Sequence, residues 1–304
     1  MKILLTNHSL QAVGGTEKWV YAMARELQRR QHEVEVFTFL KGVTSERLAA
    51  CGIPVRTDVG TGYDLALVNH GTCLCMVHHL PAVKLFTSHG PRHPLEVPSL
   101  GADGYVAVSP EVRAQHAALG IDCRVIYNGI DLEEFGPTED RWEPGRPSLL
   151  AACKMSLAQG LVGEACRRAD VHFDTVHYVS APEWDMARRM QAVDWVVGCG
   201  RTAYEALACN KAVLVFDSRG KAGPRADGWL EVGNVDLIRQ KNCSTRTHAW
   251  PWDIEGLVAA LLEMRRRWEA PPPHWMRAWA ERQADVRQKA DEYLAYYEEI
   301  DHAA

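Results

Sequence analysis

One stretch of the chain, residues 194–220, combines a strand, a glycine turn, a helix and a second strand. Its sequence is DWVVGCGRTAYEALACNKAVLVFDSRG. Gly198 and Gly200 follow a short apolar run and permit a tight turn with close backbone approach. Residues 202–209 have helical spacing, and the apolar, β-branched run 212–216 is typical of a buried parallel strand. Because backbone N–H groups at a helix start lack intrahelical partners, the turn is a natural seat for a phosphate.

This glycine turn has two interpretations. Gly198, Gly200 and Ala203 satisfy the pattern G-x-G-x-x-A of a dinucleotide-binding fingerprint, in which Asp217 would bind a ribose at the end of the next strand. That pattern usually opens a domain, whereas here it comes late in the chain, and it leaves Glu205 without a role. The other interpretation is a phosphate site for a nucleotide ligand in the second of two domains.

The composition limits the class of protein. A length of 304 residues suits two domains better than one. A net charge of −5 gives no support to a general nucleic-acid-binding surface. Nine cysteines without a regular framework indicate free thiols in a reducing compartment. The opening MKILL is too short an apolar run for a signal peptide and no apolar stretch is long enough to span a bilayer, so we expect a cytoplasmic protein.

The N-terminal region predicts the opening of a doubly wound α/β domain. A strand at 2–6 leads to Gly14 and Gly15, and a helix then runs to about residue 30 with Trp19, Met23 and Leu27 on one face. The segment EVEVFTF at 33–39 alternates as a second strand. The glycine pair lacks the G-x-G-x-x-G spacing, so a plain turn is the alternative to a ligand-binding loop.

Polar residues follow several of the predicted strands. Asn69, His70, His89, Ser109 and Asn128 each come directly after an apolar run. Ligands of open parallel sheets bind beyond the carboxyl ends of the strands, so these five residues are candidates for a site. A loop histidine at 89 and a simple Asn-Gly turn at 128–129 are the structural alternatives.

A second α/β unit follows a charged, proline-containing linker at 138–147. The pattern predicts strands at 148–153 and 172–179, helices at 162–168 and 182–191, and then the stretch described first. Residues 220–228 are predicted as a loop and 230–232 as a short strand. A helix at 254–268 precedes three prolines, and a charged, aromatic-rich helix is predicted at 275–300.

Four segments carry a resemblance to a known family. They are GGTE at 14–17, VAVSPEV at 106–112, VIYNGIDLEEF at 125–135 and YEALACNKAVLVFD at 204–217. The chain resembles the GT-B glycosyltransferases of the GT4-like superfamily (glycosyltransferase family 4, group 1), as an atypical short member. The likeness follows chain order and is weakest from 219 to 249.

The resemblance implies an α/β fold of two Rossmann-like domains whose parallel sheets face each other across a cleft. Residues 1–138 would form the acceptor domain and residues 147–270 the nucleotide-sugar domain. Residues 273–304 would form a C-terminal helix that crosses back and packs on the first domain.

The resemblance also implies roles for individual residues. Donor-binding positions are Gly14, Gly15, Lys154, Cys199, Gly200, Arg201, Thr202 and Glu205. Of these, Lys154 and Glu205 are also catalytic candidates together with His89. Glu205 resembles the second glutamate of the family's E-x7-E motif, which accepts hydrogen bonds from the donor ribose, as a carboxylate can. Further acceptor or cleft candidates are His70, Ser109, Asn128 and Lys221.

Three positions depart from the family pattern. The family neutralises the diphosphate with the Arg and Lys of G-R-x(4)-K-G, but here Lys154 stands at the Arg position and Gln159 at the Lys position. One cation is therefore missing, and Arg201, Arg219 or Lys221 would have to replace it. Val197 replaces the first glutamate of E-x7-E, so either the donor sugar is unusual or activity is lost.

The sequence predicts no metal ion and no cofactor. It contains no Asp-x-Asp motif of the kind that bridges a metal to a diphosphate. A dense cluster of potential ligands, comprising His70, Cys73, Cys75, His78 and His79, does not have a standard zinc spacing. We expect helix N-termini and cationic side chains to replace the metal.

From this we expect a metal-independent glycosyltransferase that moves a sugar from a nucleotide-diphosphate donor with retention of configuration. The donor is a co-substrate, and the acceptor is a small molecule, a glycan, a protein or a modified nucleic-acid base. A GT-B-fold nucleotide-sugar epimerase, an NAD(P)-binding oxidoreductase and a non-catalytic nucleotide-sugar-binding member are the alternatives.

Overall fold

A computed structural model describes residues 1–138, 146–176, 184–219, 223–267 and 274–303. The chain divides into two compact units. Unit 1 comprises Met1–Asp131 and Asp285–Ala304, and unit 2 comprises Leu132–Ala284. Each unit has its own sheet and its own core.

Unit 1 is built on a parallel sheet with strand order β3-β2-β1-β4-β5-β6-β7. Its strands are β1 (Lys2–Ser9), β2 (Glu33–Leu40), β3 (Val55–Arg56), β4 (Leu65–Asn69), β5 (Val83–Ser88), β6 (Gly104–Ala107) and β7 (Arg124–Val125). The connecting helices are α1 (Gly15–Arg29), α2 (Val43–Ala50), α3 (Gly71–Val77) and α4 (Pro110–Ala117), with a short 3-10 helix at Pro94–Glu96.

The core of unit 1 lies where α1 covers this sheet. Trp19, Met23 and Leu27 recur every four residues and are all buried, as the sequence predicted. They pack with apolar residues of β1 and β4, such as Leu5 and Leu67. The periodicity of the helix therefore identified the buried face correctly, because a spacing of four keeps side chains on one side of a helix.

Unit 2 has a mixed sheet with strand order β13-β12-β11-β10-β8-β9. Its strands are β8 (Ser148–Ala151), β9 (His172–Thr175), β10 (Trp195–Gly198), β11 (Ala212–Asp217), β12 (Arg225–Trp229) and β13 (Trp250–Pro251). Its helices are α5 (Ser156–Ala169), α6 (Met186–Gln191), α7 (Arg201–Ala208), α8 (Val235–Arg239), α9 (Ile254–Arg267) and α10 (Trp275–Gln283). Strands β8 to β11 pair in parallel, whereas β12 and β13 are antiparallel additions.

The strand β12 differs from the sequence-based prediction. Residues 225–228 were expected in a loop and 230–232 in a strand, but β12 covers Arg225–Trp229 and pairs antiparallel with β11. The segment RADGW contains two charged residues, Arg225 and Asp227, and a glycine, so its intrinsic preference for a strand is weak. Pairing with β11 and burial of Ala226 and Trp229 in the core of unit 2 decide the outcome.

The segment after the three prolines forms two helices in place of the one expected at 275–300. Helix α10 packs on α7, where Trp279 stacks on Tyr204 with ring centroids 5.9 Å apart. A new helix, α11 (Val286–Asp301), then belongs to unit 1 and packs on α1. Asp285 separates the two, because its side chain accepts a hydrogen bond from the Arg287 N–H at 2.9 Å and caps α11.

The Asn-Gly-Ile-Asp segment at 128–131 anchors α11 in unit 1. A Cβ on Gly129 would lie 2.8 Å from the Val286 Cα, so only glycine allows α11 to approach this closely. Ile130 O accepts the Val286 N–H at 2.9 Å. Asp131 is buried and accepts a 2.8 Å hydrogen bond from Arg29 of α1. The segment thus joins the end of the sheet to two helices of the same unit.

We expect Gly129→Ala to destabilise unit 1 by about 1–3 kcal/mol, because the added methyl group overpacks a contact with backbone. Gly160→Ala is the matched control, since Gly160 lies in α5 with open space around its Cβ position. The control should be neutral or stabilise by up to about 1 kcal/mol. Urea titration followed by hydrogen exchange on peptides of each unit measures both. Equal effects of the two substitutions on their own units would contradict the account of Gly129.

Candidate functional site

The glycine turn of unit 2 lies between β10 and α7. Gly200 has a φ of +63°, in the left-handed region that favours glycine. A Cβ on Gly198 would lie 2.7 Å from Cγ2 of Thr202, which follows the turn in α7. The Gly200 N–H donates to the Cys243 carbonyl at 2.7 Å, so this group already has a partner within unit 2. Any phosphate on this turn would have to use the N–H groups that follow.

Glu205 and Arg201 form a buried ion pair on α7. The Arg201 Nε donates to the Glu205 Oε1 at 2.9 Å, and the two residues are one helical turn apart. The side chains are 8% and 2% exposed. A buried carboxylate is costly without a partner, and Arg201 supplies one with a directional hydrogen bond. Arg201, predicted as a donor-binding residue, therefore also fixes the orientation of Glu205, the residue predicted to bind the ribose.

A charged cluster lies at the carboxyl ends of β10 and β11. The Arg219 guanidinium contacts both the Asp217 carboxylate and the Cys199 sulfur. The Asp217 Oδ1 accepts the Ser218 N–H at 2.8 Å, and Oδ2 lies 3.3 Å from the Cys199 Sγ. Burial raises the pKa of Cys199 to about 12, so the thiol is neutral at physiological pH. Arg219 and Asp217 therefore carry the charges of this cluster.

Lys154 belongs to the same edge of the sheet. It follows β8, which pairs with β10 in parallel, and its side chain is exposed. Its positive charge acts on the Cys199 thiol and opposes the rise in the pKa of that group. Lys154 and Arg219 are thus two cationic groups beside the turn that precedes α7.

Two departures from the family pattern have structural explanations. The Gln159 amide donates to the carbonyls of Cys153 and Val176, both at 2.8 Å, and so ties the ends of β8 and β9 together. Val197 is fully buried in β10 and belongs to the core of unit 2. Neither side chain is directed to a ligand. Lys221, a third candidate cation, lies outside the described residues.

In unit 1, the ends of β4 and β5 bring Asn69, His70 and His89 together. The Asn69 Oδ1 accepts a 3.0 Å hydrogen bond from the His89 Nε2. The His70 Nδ1 accepts the His8 N–H at 3.1 Å, and its Nε2 lies 3.5 Å from a carboxylate oxygen of Glu96. His70 has a φ of +73°, which is uncommon for a residue with a side chain.

The other candidates of unit 1 have mainly local partners. Ser109 is fully buried, and its hydroxyl accepts the Val112 N–H at 3.4 Å as the cap of α4. Asn128 is buried beside the segment that anchors α11. A Cβ on Gly14 would clash with the Glu17 carboxylate, whereas Gly15 has open space around it. Because the Glu17 side chain is flexible and can move aside, neither glycine is required by its local packing.

The candidates fall into two sets. His70, His89, Ser109, Asn128 and the Gly14-Gly15 pair are in unit 1. The residues at 154, 199–202 and 205 are in unit 2. Within each set the parallel strands place the side chains at one edge of a sheet.

Sequence reasoning missed two residues of these clusters. Glu96 lies in the proline-containing loop after β5, where no periodic pattern identifies it. Cys243 belongs to a loop with several left-handed residues, and its carbonyl reaches Gly200 from more than forty positions along the chain. Only the three-dimensional fold places either one beside a candidate residue.

Among the described residues, no group of three or more histidine, cysteine or acidic side chains is arranged to hold a metal ion. The dense cluster from His70 to His79 therefore does not form such a site within that part of the chain. None of the helices in the described ranges has the length and apolarity that a membrane span requires.

No family model matches the chain, and no curated protein does. Solved structures do. HepE from Anabaena, in complex with UDP and glucose, is 18% identical with a TM-score of 0.70, and the match covers 97% of this chain and 100% of HepE. The apo form of WaaB, a lipopolysaccharide outer core galactosyltransferase, is 15% identical with a TM-score of 0.61, covering 98% and 100%.

A protein from Listeria monocytogenes that is named as a UDP-N-acetylglucosamine 2-epimerase is also similar. It is 14% identical with a TM-score of 0.65, and the match covers 100% of this chain and 97% of that one. These likenesses extend over both units, so the predicted GT-B fold of two Rossmann-like units is confirmed. The GT4-like subfamily stays a prediction.

We expect Glu205→Ala to destabilise unit 2 by about 3–5 kcal/mol, because it removes the carboxylate that pairs with the buried Arg201 charge. Replacing both residues, as Arg201→Met with Glu205→Leu, should recover most of that loss. Glu263→Ala is the matched control, since Glu263 pairs with Arg267 at the same helical spacing but half exposed, and should cost less than about 1 kcal/mol. Urea unfolding of the four proteins checks this. An effect of Glu205→Ala as small as that of the control would contradict it.

Proposed function

We propose that this protein is a glycosyltransferase that uses a nucleotide-diphosphate sugar as donor. The observation that carries the proposal is the pair of cations, Lys154 and Arg219, beside the glycine turn that precedes α7. A GT-B fold with cationic groups at the carboxyl ends of parallel strands suits a ligand with a diphosphate. Solved structures with this fold support the same class, since HepE is in complex with UDP-glucose and WaaB is a galactosyltransferase.

The cations have a defined chemical task in this reaction. When the bond between sugar and diphosphate breaks, negative charge builds on the leaving phosphate oxygen. Lys154, Arg219 and the positive end of α7 oppose that charge without a metal ion. Arg219 takes the place of the cation that is missing at Gln159. It is held by Asp217 and Cys199, so little reorganisation is needed when the charge develops.

Glu205 would bind the ribose of the donor. Its Oε1 is held by Arg201, and ribose hydroxyls would donate to the same carboxylate. The fixed orientation lowers the entropic cost of binding, because the side chain does not have to be ordered by the ligand. Binding would require the nucleoside to enter beside α7, since Glu205 is buried in the structure.

His89 is the candidate that serves the acceptor. Its Nε2 donates to Asn69, so in the neutral ring the lone pair resides on Nδ1. A neutral imidazole both donates and accepts, so His89 can hold a hydroxyl group in a fixed orientation. If transfer retains configuration, as the family resemblance implies, the leaving diphosphate accepts the acceptor proton and His89 orients the hydroxyl. The acceptor is then a compound with a free hydroxyl or an equivalent nucleophile.

A GT-B-fold epimerase is the second candidate, because the fold is shared with the Listeria protein named as an epimerase. An epimerase would change the donor sugar and need no acceptor. The dinucleotide interpretation is less favoured, because the glycine pattern comes late in the chain and leaves Glu205 without a role, and because Arg219 is paired with the Asp217 carboxylate that would bind the ribose. A cytoplasmic location is part of the proposal.

Nucleotide binding gives the first test. We expect one of UDP, GDP, CDP or ADP to raise the melting temperature without added metal, while NAD and NADP do not. A ligand at a hundredfold excess over its Kd stabilises the folded state by about 2.7 kcal/mol. Differential scanning fluorimetry of the purified chain measures the shift. A shift with NAD or NADP alone would overturn the proposal in favour of a dinucleotide-binding protein.

Charge removal gives the second test. Lys154→Met should weaken binding of the nucleoside diphosphate by about 10- to 100-fold, because a charge-assisted contact contributes about 1.5–3 kcal/mol. Lys211→Met is the matched control, since Lys211 precedes the amino end of β11, at the opposite edge of the same sheet. Calorimetric titration with the nucleotide measures both. Equal affinities of the two variants would contradict the assignment of the diphosphate to this edge.

A further inference from the structure

Glu96 is a buried carboxylate that contacts both histidines of unit 1. It is only 7% exposed. Its Oε2 accepts the backbone N–H of His89 at 2.6 Å, and its Oε1 lies 3.5 Å from the His70 Nε2. The residue sits at the end of the 3-10 helix Pro94–Glu96, seven positions after His89. One side chain thus connects the ends of β4 and β5.

The backbone of Glu96 is held in place without the carboxylate. The Ser88 hydroxyl donates to the Glu96 carbonyl at 2.6 Å. Because that hydroxyl gives its proton to Glu96, it accepts the hydrogen bond from the His116 Nε2 at 2.9 Å. Burial lowers the pKa of His116, although the Glu96 charge acts against it, so His116 is a neutral donor here. The Ser88 contact therefore holds the turn at Glu96 independently of the charge on the Glu96 side chain. A substitution can remove that charge and keep this contact.

The contacts of His70 define its protonation pattern. Its Nδ1 accepts the His8 N–H, so in the neutral ring the proton is on Nε2, directed at Glu96. His70 lies at the junction of β4 and α3 and has a left-handed backbone conformation. This conformation sets the direction in which its side chain leaves the backbone. Glu96 faces the Nε2–H, so the His8 N–H and the Glu96 carboxylate favour the same tautomer and hold the ring from both sides.

Glu96 is ionised in this setting. Burial acts to raise its pKa, but the contact with the His70 ring and the hydrogen bond from the His89 N–H outweigh it, and protonation of either histidine would lower it further. The pKa of Glu96 therefore lies below its usual range. His70, His89 and His116 are the titratable groups that act on this carboxylate or feel its charge. An anion with two oxygens can serve both histidines at once, which an amide cannot.

We propose that Glu96 is a positioning residue: it holds the His70 ring through its Nε2–H and the backbone of His89 through its N–H, and so aims both rings for the transfer reaction. The inference rests on the proposed function in one respect only, namely that His89 serves the acceptor. Glu96 itself touches no reacting atom. Its effect passes through the two histidines, as a second layer of hydrogen bonds orients metal-binding or catalytic histidines elsewhere.

Glu96→Gln tests the proposal with little change of size. The amide oxygen can still accept the His89 N–H, but the NH₂ group then faces the His70 Nε2–H, donor against donor. Glu35→Gln is the matched control. Glu35 is equally buried in unit 1 and accepts a 2.6 Å hydrogen bond from Tyr63, and it contacts neither histidine.

Long-range ¹H–¹⁵N spectra of the imidazole rings provide the primary readout. We expect the His70 Nε2–H to be hydrogen-bonded in the wild type and in Glu35→Gln, and to lose that hydrogen bond in Glu96→Gln, which shifts the Nε2 and Nε2–H resonances. The His70 signal is identified by its absence in His70→Asn. Unchanged His70 Nε2 and Nε2–H resonances in Glu96→Gln would overturn the proposal, whether or not the variant has lost stability.

Turnover provides the second readout, as release of nucleoside diphosphate from the sugar donor. Glu96→Gln should lower kcat by about 10- to 100-fold, the size expected for a misplaced group. The donor KM should be unchanged, because the residues proposed to bind the diphosphate charge and the ribose, namely Lys154, Arg219 and Glu205, lie in unit 2. A loss no larger than that of Glu35→Gln would overturn the positioning role. If the proposed function is wrong, no nucleotide shifts the melting temperature. The imidazole spectra would still show whether Glu96 holds the His70 ring.

Discussion

Parallel pairing of strands aligns the carboxyl ends of neighbouring strands at one edge of each sheet. In unit 2, Val197 is level with Ala151 and Gly198 is level with Val215, so the residues that follow these strands emerge side by side. In unit 1, Asn69 is level with Thr87, which places His70 and His89 together. Had these strands paired in antiparallel fashion, the same residues would lie at opposite ends of the sheets. Both polar clusters therefore depend on the parallel register of the sheet that carries them.

Carboxylates at these edges are buried, and each has a local partner. Arg201 binds Glu205, Arg219 binds Asp217, and the histidines surround Glu96. A carboxylate removed from water is stable only when hydrogen bonds or an opposite charge replace its hydration. In exchange, its direction is fixed before any ligand arrives. At both edges, the buried carboxylates are therefore paired and fixed in direction. Other polar groups of these edges, such as Lys154, remain exposed.

The sequence carried much of the fold and less of the site. The periodicity of α1, the apolar run of β11 and the glycines at 198 and 200 each reflect local rules, and the structure agrees with them. Glu96 and Cys243 were missed, because their importance arises from contacts that no local pattern encodes. The strand β12 was misplaced because pairing with β11 overrides its weak intrinsic preference. The break at Asp285 was missed because one capping side chain ends a pattern that is otherwise helical on both sides.

The packing of α11 on α1 has a consequence for how the protein is made. Tyr293 of α11 lies against Trp19, with ring centroids 5.6 Å apart, and its hydroxyl is 3.1 Å from that of Thr87. Helix α11 thus completes the core of unit 1, although the whole of unit 2 lies between it and the rest of unit 1 along the chain. During synthesis from the N-terminus, the ribosome delivers every residue of unit 2 before the helix that completes unit 1. Until α11 is synthesised, part of the core of unit 1 stays uncovered. Unit 2 can therefore complete its folding before unit 1 does.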